Sequence, residues 1–154
     1  MEKILTNDEL IQKVRELVKQ DVPDYEQAYK LLDLAYKRGS PEATYAIATW
    51  YLHGGHFLEQ DYVKGTEYLK KAAEMKWPDA MYDLAVSYER GVYVSKNQKK
   101  AFLLYLQSAL RGSSEAVYEV SRCYYFGIGT RKNKVLGAIW YDRAEELGCV
   151  RNDD

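Results

Sequence analysis

Apolar and small residues recur along this chain at helical spacing, in blocks broken by short polar or glycine-bearing segments. Ala43, Ile47 and Tyr51 stand at i, i+4 and i+8, one stripe of a helix, and Ala48 widens it. The first block, Thr6 to Gln20, opens on Thr6-Asn7-Asp8-Glu9, a capping-box pattern, and carries Leu10, Ile11, Val14, Leu17 and Val18 on one face. The pattern predicts eight helices: Thr6 to Gln20, Asp24 to Arg38, Ser40 to His53, Asp61 to Lys76, Pro78 to Arg90, Asn97 to Arg111, Ser113 to Phe126 and Asn133 to Leu147.

The blocks repeat in register. Ala43, Ala80 and Ala116 are separated by 37 and 36 residues, and their neighbours fall into columns: Tyr45, Tyr82 and Tyr118; Ile47, Leu84 and Val120; Tyr51, Tyr88 and Tyr124; Gly54, Gly91 and Gly127. A second half-unit aligns Ala28, Gly65, Ala101 and Gly137, then Leu32, Leu69, Tyr105 and Tyr141. A fixed period of about 20 to 50 residues with two helical stretches per unit is the mark of a stacked helical repeat. The punctuation repeats as well. Asp24, Asp61, Asn97 and Asn133 are placed to cap the second helix of each pair, and Pro41 and Pro78 to open the first. Gly39, Gly112 and Gly148 stand where helices stop. Lys76 takes that place in one unit, and Tyr93 replaces the second glycine of the Gly127-Ile128-Gly129 turn, so those segments, with Gly54-Gly55-His56-Phe57, are expected to turn differently.

The expected fold is all-α, an αα-solenoid of four helix pairs: an N-terminal capping pair over residues 6–38, repeats at 40–76, 78–111 and 113–148, and a polar tail at 149–154, all in one domain. The first helix fits none of the repeat columns, as suits a cap with a polar outer surface.

Composition narrows what such a stack could do. A net charge of −1 does not suit binding driven by phosphate contacts, so no nucleic acid is expected. The N-terminus reaches polar residues at once, and no apolar run approaches the roughly 20 residues of a membrane span, so a cytoplasmic protein without membrane contact is expected. Cys123 and Cys149 lie in different helices and different columns, and are read as free thiols. His53 and His56 lack a carboxylate or thiol at ligand spacing, Gly127-Ile128-Gly129-Thr130 follows a helix rather than a strand, and no nucleophile motif is present. No metal, cofactor or catalysis is therefore expected.

The run Asp79-Ala80-Met81-Tyr82-Asp83-Leu84-Ala85-Val86-Ser87-Tyr88, the Gly127-Ile128-Gly129 turn and the tail from Ala138 to Gly148 resemble the Sel1-like repeat, a relative of the tetratricopeptide repeat, over about residues 24 to 148. The resemblance implies a right-handed superhelix that holds partner proteins, with the first helix of each pair lining a concave side. Carried onto this chain, it offers Tyr45, Thr49, Asp79, Tyr82, Asp83, Val86, Glu115, Tyr118, Glu119, Arg122 and Tyr125 as partner-binding positions. With Glu42 and Glu89, the helix positions facing that side carry six carboxylates against the single arginine Arg122, with Arg90 and His53 at the margin. An acidic, tyrosine-lined surface suits a basic protein or peptide. Asp79 and Glu115 also sit where the helix dipole favours an acid, and the Tyr45, Tyr82, Tyr118 column can be read as packing instead of binding surface. The expected role is a scaffold, adaptor or regulator, the alternatives being an immunity protein that neutralises a toxin and, less in keeping with the sequence, a carboxylate-dependent hydrolase. The chain is expected to be a monomer or a weak homodimer through Ile139 or Trp140.

Overall fold

The computed structural model describes residues 1–55 and 57–150. Among them the chain forms eight helices: α1 (Asn7–Val18), α2 (Tyr25–Lys37), α3 (Pro41–His53), α4 (Tyr62–Glu74), α5 (Pro78–Arg90), α6 (Gln98–Leu110), α7 (Ser114–Phe126) and α8 (Lys134–Glu146). The architecture is a helical-repeat solenoid, without strands among the described residues, and it divides into two compact units, Met1–Met75 and Lys76–Asp154.

Every helix but α5 starts where the sequence supplies a side-chain cap. Thr6 and Glu9 close a reciprocal capping box on α1. The side chains of Asp24, Asp61, Asn97 and Asn133 each accept the backbone N–H three residues on, at 3.0 Å, and a cap of this kind is worth about 1 kcal/mol. A second repeated bond hooks the helices of a pair together. The backbone N–H groups of Asp61, Asn97 and Asn133 donate to the carbonyls of Tyr51, Tyr88 and Tyr124 at 2.7 to 2.8 Å. Ser40 and Ser113 cap α3 and α7, while Trp77, ahead of Pro78, caps α5 with no side-chain bond.

In the first unit, α1 packs on α2 and α3 on α4, with α2 against α3. Its core holds Leu10, Ile11, Val14, Leu32 and Ile47, with fully buried Ala28, Ala35 and Ala43 letting the backbones close up. Aromatic rings surround it: Tyr29 meets Trp50, Tyr51 and Phe57 with ring centroids 5.7 to 6.4 Å apart, and the Tyr29 and Tyr51 hydroxyls are 3.1 Å apart. In the second unit, α5 packs on α6 and α7 on α8, with α6 against α7. There Ala85, Ala101, Phe102, Tyr105, Val120 and Cys123 share one core, and burial pushes the Cys123 thiol up to about 12.

Two of the expected turn differences do not occur. Lys76 (φ 66°) takes a positive φ, as Gly39, Gly112 and Gly148 do at 70° to 103°. Likewise Tyr93 (φ 63°) matches Gly129 (φ 66°), after Gly91 and Gly127 that share ψ of 38° and 44°. The position in the repeat, not the residue type, sets the backbone here, at a cost of about 1 kcal/mol for a side chain held in that region. Gly129 cannot be substituted in this way, because a Cβ there would stand 1.9 Å from the Gln98 carbonyl oxygen. The Gly54 turn does differ, with ψ −165°.

Candidate functional site

Helix α5 brings Tyr82, Val86, Glu89 and Arg90 to one face, α6 adds Tyr105, and α7 adds Glu119 and Arg122. Together they line a polar recess of about 160 Å³ in the second unit. Helical spacing explains the choice: Glu89 lies seven residues after Tyr82, and Arg122 three after Glu119, so each pair shares a stripe. At its centre the Arg122 Nη2 lies 2.7 Å from both the Glu89 and the Glu119 carboxylate. Arg122 Nε also donates to Glu119 at 2.7 Å, and the Tyr105 hydroxyl donates to Glu89 at 2.8 Å.

The electrostatics follow from this wiring. Burial pushes the Glu89 carboxyl up, but the Arg122 guanidinium and the Tyr105 hydroxyl outweigh it and hold it below the usual glutamate range. Burial and the adjacent Glu89 carboxylate push the Tyr105 hydroxyl well above the usual tyrosine range. Burial alone would lower Arg122, yet the two carboxylates raise it. Glu89 is thus held as the carboxylate, while Tyr105 and Arg122 are held in their protonated forms.

The positions offered by the sequence are distributed unevenly. Tyr82, Val86, Glu119 and Arg122 meet in the recess. Glu119 is 5% exposed, so it is a wall of the site and not an open docking charge. Asp79 and Glu115 are exposed in the first turns of α5 and α7. Asp83, Tyr118 and Tyr45 are half-buried. Tyr82 contacts the Tyr105 ring at 5.7 Å, which makes it partly a packing residue. Tyr118, Arg122 and Tyr125 line a second, more apolar hollow of about 350 Å³ beside α8. Tyr45 and Thr49 belong to the first unit, where the Thr49 hydroxyl donates to the Ala46 carbonyl at 2.8 Å. Of the six carboxylates, Glu42 pairs with Arg15, and Glu89 and Glu119 with Arg122, so these three act inside ion pairs.

Tyr105 is the residue that the facing-helix argument missed. It lies on the second helix of its pair, and only its repeat column, where Leu32 and Leu69 stand in other units, signals that a hydroxyl was placed where the fold needs none. Among the described residues, no cluster of three or more His, Cys, Asp or Glu side chains could hold a metal ion, and no helix is long and apolar enough to cross a membrane. His56 lies outside the described residues, and so does the end of the polar tail, 151–154.

Paired helices in repeated register, with a polar recess walled by α5, α6 and α7, define a helical-repeat protein of the solenoid class. The Sel1 repeat model matches residues 18–40, 41–76, 78–113 and 114–149, and the chain belongs to that family. It is 32% identical over 130 residues to chitin synthase regulatory factor 3 of Schizosaccharomyces pombe, a match covering 80% of this chain and 14% of that protein. Among solved structures it resembles a Sel1 repeat protein from Oxalobacter formigenes, with a TM-score of 0.83 and 22% identity over 93% of this chain and 59% of that one. It also resembles an immunity protein from Pseudomonas aeruginosa, with a TM-score of 0.63 and 20% identity over 97% of this chain and 55% of that one. At those identities the two structures speak for the fold alone.

Proposed function

We propose that this protein is a non-catalytic interaction module that binds a basic segment of a partner protein on the α5–α7 face of its second unit, acting as an adaptor or regulator. The observation that carries this reading is a contrast within the repeat. Where the second unit has Tyr105, Glu119 and Arg122, the same columns of the first unit hold Leu32, Ala46 and Thr49. The helical pairs therefore form without those charges, and a buried ion pair is a poor route to stability. Beyond the ion-paired Glu89 and Glu119, helices α5 and α7 also carry Asp79, Asp83 and Glu115, the first and last exposed and Asp83 half-buried, and this surplus of carboxylates would steer lysine or arginine towards the tyrosines.

The regulatory relative supports an adaptor role, although this chain spans about one seventh of its length. A hydrolase would want a carboxyl raised towards neutrality, whereas Glu89 is held down. The immunity-protein role has only the shared fold behind it.

The test is capture from the native lysate at low and high salt with the wild type, an Asp79→Lys/Asp83→Lys variant and a Glu115→Lys variant. The expected result is one partner, lost at high salt and in the double variant and weakened by Glu115→Lys. A partner retained by all three at both salt concentrations would remove the acidic face from consideration.

A further inference from the structure

The hollow beside α8 is the same groove that α7 fills one repeat earlier. Between α5 and α6, the walls are Ala85, Ala101, Phe102 and Tyr105, and α7 lays Val120 and Cys123 against them. Thirty-six residues on, the same columns hold Ser121, Gly137, Ala138 and Tyr141, and these line the hollow between α7 and α8. The difference is in what covers them. Tyr105 is 1% exposed under α7, while its counterpart Tyr141 is 38% exposed. Phe102 is buried, and Ala138 in its place is exposed and deepens the groove.

One wall residue defines the occupant further. Leu106 packs half-buried beside α7, and its counterpart is Asp142, which lines the hollow. A helix seated here as α7 is seated against α6 would cover that carboxylate, which is costly unless the helix brings a cation. We infer that the α7–α8 groove docks an amphipathic helix of a partner protein, with small or medium apolar residues at the i, i+4, i+7 spacing of Ala116, Val120 and Cys123 and a lysine or arginine that meets Asp142. A second copy of the chain stacked end to end fits poorly, because the outward positions of α1 are Asp8, Gln12, Lys13 and Glu16. The inference extends the partner-binding reading to the neighbouring hollow, which shares Arg122 with the recess, and it stands on Ala138, Tyr141 and Asp142, not on the acidic residues of α5.

The probe is a pair of synthetic helical peptides carrying the α7 stripe on an alanine background, one with lysines flanking the stripe and one with glutamates. Binding to the whole chain is followed by fluorescence anisotropy at about 0.1 M salt, where long-range attraction is already damped. The lysine peptide should bind saturably, and Ala138→Arg, at an exposed position, should weaken it at least tenfold with an unchanged melting curve. Asp142→Lys should weaken the lysine peptide about tenfold and reverse the preference between the two peptides, while Glu67→Lys, exposed on α4 of the first unit, leaves both unaffected. No saturable binding of the lysine peptide, or equal binding by wild type and Ala138→Arg, would overturn the inference. A wild-type dimer in sedimentation that Ala138→Arg converts to monomer would overturn it as well, because the groove would then be covered by a second copy.

Discussion

The two units solve the same packing problem with different chemistry. Where α2 meets α3, Leu32 is buried, Ala46 and Thr49 lie at its edge, and aromatic contacts such as Tyr29 with Trp50 and Tyr51 complete the neighbourhood. Where α6 meets α7, the same columns carry Tyr105, Glu119 and Arg122, and with Glu89 they form a wired charge cluster. A repeat backbone that accepts either set does not require the charged one. The cluster therefore marks where this sequence departs from packing needs, and departures of that kind are expected at functional surfaces.

The sharpest way to break the comparison is to remove the central cation. Arg122→Ala leaves Glu119 buried beside Glu89 without their shared partner, and should destabilise the protein by about 3–5 kcal/mol in urea unfolding. Thr49→Ala, at the matching position of the first unit, should cost no more than about 1 kcal/mol. A smaller effect is expected at the turns. Gly129→Ala should cost about 2 kcal/mol or more, since its Cβ would collide with backbone at Gln98. Lys76→Gly and Tyr93→Gly should each stabilise by about 1 kcal/mol, because both residues are held at positive φ. Calorimetric melting of the three turn variants would check the order.

The smallest predicted effect is the pH dependence. Glu89 is held below its ordinary value in the folded state, so its contribution is present above the unfolded value of about 4.3 and fades as pH falls through the lowered folded one. Acid unfolding of wild type should thus steepen below about pH 4.3, and Glu89→Gln should flatten that part of the curve. An unchanged acid limb in the variant would mean that Glu89 carries no linkage.

Much of this molecule was legible before any coordinates. The eight helices, the recurring Asp and Asn caps and the alanine columns follow from spacing that repeats in phase, and in-phase repetition is a stronger signal than any single propensity. Lys76 and Tyr93 were misjudged because their types were weighed against their columns, and the columns prevailed. The charge cluster was hidden for a different reason. Glu89 and Arg122 are 33 residues apart, three short of the repeat, so no column pairs them. Counting charges on a face treats Glu89, Glu119 and Arg122 as independent, whereas the geometry joins them and ties two of the six carboxylates into ion pairs.

The central claim is that the cluster in the second unit is dispensable for folding. The most direct measurement is urea unfolding of the variant Glu89→Leu/Tyr105→Phe/Glu119→Leu/Arg122→Met beside wild type. A midpoint equal to or above that of wild type would agree with the account, since apolar residues of similar volume replace buried ions at no net cost or with a gain of about 1–4 kcal/mol. A loss of about 3 kcal/mol or more with an unchanged slope would contradict it and make the charges part of what holds the second unit together.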